Sequence, residues 1–368
     1  MKIAYDHQIF NAQFYGGISR YYTLLAQELL NLKLNIGVFA GLHRNNYLAD
    51  LPSDIVRGLK LEKYPPKTVS LFQIFNHYLV NHQIRCWEPE LIHETYYSFM
   101  NFSKSSIPRV TTVYDMIHEL FPQTFSVSDK TSDWKRKTFD RVEHIISISK
   151  STKNDLVKLF DIDENKISVV HLGVDVLSFS DYNPPSNLEL KRPFLLYVGA
   201  RGGYKNFRAV LTAVAASKQL KEDFDLVAFG GGSFGVDEKA LIVSLGFTAE
   251  QIRQVSGGDD KLVALYHQAT AFVYPSLYEG FGLPPLEAMA CSCPVISSNT
   301  SSMPEVIGDA CEYFTPADNE DIQRAIEKVV YSADRIIELK KLGLERVQLF
   351  GWGKCARETL DIYEKIVG

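Results

Sequence analysis

Nothing in these 368 residues approaches the roughly 18 consecutive apolar residues of a membrane-spanning helix. The opening "MKIAYDHQIF" also lacks the charged n-region and long apolar stretch of a signal peptide. There is no C-x-x-C pair. The five cysteines (Cys86, Cys291, Cys293, Cys311 and Cys355) are an odd, scattered set, which argues against a disulfide framework and for reduced thiols in the cytoplasm. Neither charge is in large excess. The 39 Lys and Arg stand against 44 Asp and Glu, a formal net charge of −5, so the chain as a whole has no pull toward nucleic acid. An anionic membrane would have to be met by a local patch. Tandem repeats and low-complexity tracts are missing too, which excludes a solenoid. What is present is 46% hydrophobic residues, ample for packed cores in two domains of ordinary size.

Short apolar runs alternate with helical patterns along most of the chain. "KIAYD" reads as a strand, and "GGISRYYTLLAQELLNL" puts Ile18, Tyr21, Leu25 and Leu29 on one helical face. "NIGVFAG", "ELIHETYY", "RVTTVYD", "HIISIS" and "KISVVHLG" follow as strands, with helical stretches at "LFQIFNHYLVNHQI" and "KSTKNDLVKLF" between them. The pattern lapses over residues 173–193, where three prolines and several Ser and Asn read as a linker. A second series then runs from "FLLYVGA" through a helix over 206–221, "FDLVAFGG", "DKLVALYHQA", "AFVYPS" and "PVISSN". This predicts an α/β protein of two Rossmann-like, doubly wound domains, residues 1–180 and 181–351, with a tail helix over about 352–368 that packs back on the first. Ligands of such sheets bind beyond the carboxyl ends of the strands, so two facing sheets would share one cleft.

Two charged features have plain and sharp readings. The run "DKTSDWKRKTFDR" gathers Lys135, Arg136, Lys137 and Arg141. It is either a solvated helix face or, over 130–141, a peripheral contact with an anionic membrane. "DID" at 161–163 and "DFD" at 223–225 have the D-x-D spacing of metal-dependent transferases, but their places beside strands and helices make them caps or turns.

The chemistry concentrates in "YEGFGLPPLEAMACSCPV", residues 278–295. A helix must begin near Pro284 and Pro285, where a missing N–H costs nothing. The N–H groups of Phe281, Gly282 and Leu283 would then form an anion site at the helix start, and Gly280 and Gly282 would let a ligand approach the backbone. Glu287 sits about one turn in, among Leu286, Ala288 and Met289. A carboxylate there needs donors, and a ribose or sugar diol supplies two. Glu279 would reach another part of the same ligand. The plainer alternative has Glu279 capping the turn and Glu287 pairing with a lysine. "LLYVGARGGYKNF" adds a strand ending at Gly199 that delivers Arg201 and Lys205, a diphosphate clamp. "YGGISRYY" puts Gly16 and Gly17 at the first strand-to-helix junction, and without G-x-G-x-x-G a nicotinamide site is a poor reading.

"YPSLYEGFGLPPLEAMACSCPVISSNTSSMPEVIGDA" resembles the E-x7-E region of family 4 glycosyltransferases, and "SISKSTKNDL", "KISVVHLGVD" and "VGARGGYKNF" extend the likeness over most of the chain. The resemblance implies a retaining enzyme of GT-B fold, similar to bacterial mannosyltransferases of surface-polysaccharide synthesis. It implies Glu287 on the donor ribose, Glu279 beside the transferred sugar, and the 281–283 amides with Arg201 and Lys205 on the diphosphate. Gly16 and Gly17 would close over it, and base recognition would lie near "IRQVSGGDDKLVALY". No metal or other cofactor is implied. The partners are a nucleotide-sugar donor and a glycan or lipid-linked acceptor, with GDP-mannose the leading donor and UDP-sugars open. Many relatives carry His-Asp in the first domain where this chain has Tyr114-Asp115, so His118 and His93 are the histidines available there, each as open to a place without a role as to one in the site. A sugar-nucleotide epimerase and a non-catalytic sugar-nucleotide-binding subunit are the alternatives.

Overall fold

The computed structural model describes residues 1–65, 68–100, 107–174, 190 and 192–368. Most of the expected linker, and the expected boundary at residue 180, fall outside the described residues. The chain divides into two compact units, Met1–Gly173 with Trp352–Gly368, and Val174–Gly351.

Unit 1 is built on a parallel sheet of seven strands: β1 (Lys2–Tyr5), β2 (Asn35–His43), β3 (Val56–Lys60), β4 (Leu91–Glu94), β5 (Arg109–Val113), β6 (His144–Ser147) and β7 (Ile167–Val169), in the order 3-2-1-4-5-6-7. Unit 2 has six: β8 (Phe194–Val198), β9 (Asp225–Phe229), β10 (Ile252–Val255), β11 (Ala271–Tyr274), β12 (Val295–Ser298) and β13 (Cys311–Phe314), in the order 10-9-8-11-12-13. Both sheets are doubly wound, as the alternating pattern predicts. Strand order reverses between β1 and β4 in one and between β8 and β11 in the other, where the flanking loops part and a ligand can enter.

Local sequence explains the strands. β11 and β12 are buried at every position, because helices cover both faces of a parallel sheet and select continuous apolar runs over alternation. Leu195 lies opposite both Leu226 and Ala271, the centre of a core that also takes Val210, Val273 and Ile296. One helix was expected over 206–221. Two form, Phe207–Ala216 and Lys218–Asp223, because the Ser217 hydroxyl accepts from Leu220 N (3.2 Å) and starts a new helix. In unit 1 the helix Trp352–Val367 lies against the helix Gly17–Asn31 and buries Cys355, Ala356, Thr359, Ile362 and Tyr363.

Candidate active site

The reversal point of the six-stranded sheet is a seam of short bonds. β8 ends at Val198. Gly199 then turns at φ +125°, with open space where a Cβ would stand. A 3₁₀ turn over Gly203–Lys205 follows, and Asn206 at φ +56° starts the next helix. The Asn206 amide donates to the carbonyls of Pro275 (3.1 Å) and Pro316 (2.9 Å), and Leu277 N donates to Tyr204 O (2.7 Å). These bonds fix the turn after β8 against the turn after β11. Across the seam Lys205 Nζ lies 2.6 Å from Glu279 Oε1, with both side chains largely buried. The two residues that the sequence assigned to neighbouring parts of one ligand are thus in direct contact.

The turn after β11 is braced from behind. Glu279 N donates to Ser301 Oγ (2.9 Å), and the Ser302 hydroxyl donates to the carbonyls of Glu279 (2.8 Å) and Phe281 (2.9 Å). Ser298 and Thr300 donate to Ser276 O. Sequence reasoning missed these residues; the available signal was "SSNTSSM", hydroxyls packed densely behind a buried strand. Gly280 and Phe281 are buried in this turn, and Gly282 ends it at φ +102°. A Cβ on Gly282 would stand 2.5 Å from Met303 Cε, so space and backbone both require glycine. The helix Leu283–Ala290 begins there with prolines in its first turn, as expected. Pro284 and Pro285 carry no N–H, which leaves Gly282 and Leu283 as amide donors at the helix start. Partly buried Glu287 accepts from the Tyr266 hydroxyl at 3.4 Å, a donor on the neighbouring helix Asp259–Gln268.

Arg201 takes a different place from Lys205. Its Nε and Nη2 donate to the two Glu238 carboxylate oxygens (2.7 and 3.2 Å), Nη1 to Gly230 O (2.9 Å) and Nη2 also to Ser233 O (3.2 Å), while Phe234 stacks 4.7 Å from Cζ. These bonds hold the Glu238 carboxyl below its usual range. Gly230, Gly231 and Gly232 all have positive φ, and a Cβ on Gly231 would meet Arg201 Nη1 at 2.6 Å. The glycine run therefore wraps the guanidinium. A cavity of about 730 Å³ opens beside it, lined by Arg201, Gly203, Asn206, Gly231 and Glu238 among others.

Gly16, Gly17 and His118 belong to unit 1. Gly16 precedes the helix Gly17–Asn31, where the Gln13 side chain accepts from Ser19 N (3.0 Å) and caps the start. His118 is stacked on Phe125 at 3.9 Å, with Nε2 4.0 Å from Asp129 Oδ2; half-burial lowers its pKa. Asp115 is tied down, Oδ1 accepting from Ile117 N (3.0 Å) and its carbonyl from Lys135 Nζ (2.8 Å). Of the two places the sequence leaves open for it, a site and a core, His93 takes the core. It is fully buried, shares hydrogen bonds with Tyr363 (2.5 Å), Thr112 (2.9 Å) and Tyr22 (3.2 Å), and is held neutral by burial, its pKa pulled down to about 3. It fastens the last helix to the sheet.

The basic run also resolves differently from its sharper reading. Lys135 is buried against Glu119 (2.8 Å), and Arg141 clamps the fully buried Glu94. The exposed Arg136 and Lys137 share their helix with exposed Asp133 and Asp140, so no basic patch results. Of the D-x-D pairs, Asp161 ends a helix and Asp163 caps the next turn, while Asp223 accepts from Tyr331 and Asp225 pairs with Arg192 (3.3 Å).

Known proteins share this fold. Residues 15–177 match the model of "Glycosyltransferase Family 4", and residues 179–342 that of "Glycosyl transferases group 1". The chain is 30% identical over 254 residues to the serotype-specific mannosyltransferase WbdA of Escherichia coli, covering 63% of this chain and 30% of WbdA. It is 30% identical over 240 residues to the O-antigen chain mannosyltransferase B of the same organism, covering 62% of each. The chain thus spans less than two thirds of these relatives. Anabaena HepE, solved in complex with UDP and glucose, superposes with a TM-score of 0.74 at 16% identity over 99% of both chains. The two doubly wound sheets are those of the GT-B fold class. With one model matching each half of its sequence, the chain belongs to the glycosyltransferases.

Proposed function

We propose that this chain transfers a hexose from a nucleotide-diphosphate sugar to a glycan or lipid-linked acceptor, with mannose from GDP-mannose as the leading donor. The observation that carries the reading is the Lys205–Glu279 pair at the reversal point of the unit 2 sheet, beside a helix that starts at Gly282 with no side-chain cap and prolines in its first turn. The mannosyltransferase relatives favour mannose. The UDP complexes of HepE keep uridine donors in the test.

In the proposed reaction the diphosphate lies over Gly199 and the amides of Gly282 and Leu283, and Lys205 neutralises it. Glu287 accepts from the ribose hydroxyls, with Tyr266 fixing its carboxylate. Glu279, released from Lys205 as the cation turns to the diphosphate, faces the transferred sugar. The glycosidic bond breaks first, and the departing diphosphate keeps the electron pair. The acceptor hydroxyl then adds on the same face of the oxocarbenium-like sugar, and a phosphate oxygen takes its proton. Configuration is retained without a covalent intermediate, metal or cofactor. Charge growing on the diphosphate is met by Lys205 and the helix start, and a single donor of this kind contributes on the order of 10²–10³ in rate.

A thermal-shift panel of GDP-, UDP- and ADP-sugars tests the donor. The correct one at 100 times its Kd should add about 2.7 kcal/mol of stability. Glu279→Gln should keep that shift while kcat falls on the order of 10²–10³. Full turnover in both Glu279→Gln and Glu287→Gln would end the proposal.

A further inference from the structure

Three neighbouring strands of unit 2, β8, β9 and β10, bring their ends to one residue. Gly230 O accepts from Arg201 Nη1 (2.9 Å), which comes from the loop after β8, and from Gln254 Nε2 (3.2 Å), near the end of β10. Gly230 N donates to Val255 O (3.0 Å), and the Gln254 amide also donates to Ser256 Oγ (2.7 Å). Gly230 is thus held at both its N–H and its carbonyl. The turn it opens presses on the loop after β8, since a Cβ on Gly231 would stand 3.0 Å from Gly199 O. Gly230, Gly231 and Gly232 run at φ +86°, +67° and +70°, a left-handed course that side chains resist. Three glycines in a row have the freest backbone a chain can offer, so bonds from outside the turn must set its path. Among the described residues no acceptor meets the amides of Gly231 and Gly232, which are exposed.

Those outside bonds lead to Glu238. Its two carboxylate oxygens take the fork of Arg201, and the same guanidinium reaches Ser233 O (3.2 Å), so it spans the turn from Gly230 to Ser233. Glu238 is also the third residue of the helix Val236–Ser244, where Oε2 accepts from Gly235 N (2.8 Å) as a cap. A cap at that position needs one acceptor oxygen and no charge, and glutamine serves as well as glutamate. The charge has a second use, a forked pair on a buried arginine. On the transferase reading the diphosphate lies over Gly199. Strand order 10-9-8-11 then puts Glu279 and the hexose on its β11 flank and the glycine turn on its β9 flank. We propose that Glu238 is a positioning residue for the nucleotide half of the donor: through Arg201 it fixes the Gly230–Gly232 turn, whose exposed amides meet the nucleoside diphosphate. This rests on the transferase reading and adds to it a side chain that touches neither donor nor acceptor.

Glu238→Gln separates the two roles, because it keeps an oxygen for Gly235 N and removes the charge from the fork. Calorimetry of the whole chain with GDP, UDP and ADP should show the Kd of the preferred nucleotide rising about tenfold, the worth of one charged hydrogen bond. The KM of the matching nucleotide sugar should rise by the same factor while kcat and the melting temperature hold. Gln254→Ala, which frees Gly230 O from the other side, should give the same pattern. Glu238→Gln added to Arg201→Lys should cost nothing beyond Arg201→Lys alone, because both act through one fork. Wild-type nucleotide binding in Glu238→Gln, beside a lowered melting temperature in Glu238→Ala, would reduce Glu238 to a helix cap and overturn the inference. So would a fall in kcat with Kd unchanged, or losses that multiply in the double variant. If the substitutions at 238 unfold the chain, Gln254→Ala decides by the same Kd and KM. The wild type separates the two levels. No thermal shift with any nucleotide sugar refutes the transferase reading, whereas a wild-type shift beside unaltered binding in Glu238→Gln refutes only the role of Glu238.

Discussion

At the scale of single residues, the site depends on positions where one chemical feature admits no substitute. Gly282→Ala would force a side chain into a left-handed backbone, at about 1–2 kcal/mol, and push its methyl into Met303. The expected result is a lower melting temperature together with a weakened nucleotide-sugar shift, both read in one thermal scan. Arg201 and Lys205 make opposite predictions although the sequence sets them side by side. Arg201 forks to Glu238 and two carbonyls, a geometry a lysine cannot copy. Arg201→Lys should loosen the 230–238 loop and raise the donor KM on the order of tenfold while kcat holds. Lys205→Ala should instead lower kcat, because the lost charge acts on the leaving group. Steady-state kinetics of the two variants decides between these roles, and equal losses in kcat would put Arg201 on the diphosphate after all.

At the scale of elements, a polar contact inside an apolar face helps hold the helix Trp352–Val367 to the sheet. Tyr363→Phe removes the hydroxyl that His93 Nδ1 meets at 2.5 Å and leaves a buried imidazole nitrogen without that partner. The cost should be about 1–3 kcal/mol, seen as a drop of a few degrees in the unit 1 transition with the donor shift unchanged. The sequence made much of this scale legible. "FLLYV" and "AFVY" announce themselves as buried strands, and two prolines after Gly282 mark a helix start. β3, an edge strand with Arg57, Gly58 and Lys60 exposed, has no apolar pattern to betray it. The partners of the site residues were equally hidden. Glu238 meets Arg201 from 37 positions away, and Tyr266 reaches Glu287 from another helix. Periodicity shows which face of an element is buried, and it carries no record of what lies opposite. His93 could not be placed from sequence for the same reason, since a strand-end histidine looks alike in a site and in a core.

At the scale of the whole molecule, the titratable groups are unevenly shared. Of nine histidines only His267, which is exposed, belongs to unit 2. Unit 1 holds His7 and His93, both pulled by burial to about 3, and His43, pulled to about 4. Each is neutral when folded and takes up a proton near pH 6.5 when unfolded. Below that pH the unfolded state binds more protons, so their stabilisation is complete above about 6.5 and drains away as pH falls toward the folded values. Each of the two fully buried rings should cost up to about 1.4 kcal/mol per pH unit in that window. Calorimetry between pH 7 and 5 should therefore show the unit 1 transition sliding down while the unit 2 transition stays. A parallel descent of both would contradict this assignment. Unit 1 also closes in an unusual order, because the helix Trp352–Val367 that completes it follows the entire 174–351 segment in the chain. During synthesis the first-made strands must wait for the last-made helix, while the six-stranded unit leaves the ribosome whole and can fold ahead of them. For that interval the Tyr21 face of the Gly17–Asn31 helix stays uncovered, and a chaperone that shields apolar surface would find its natural client there.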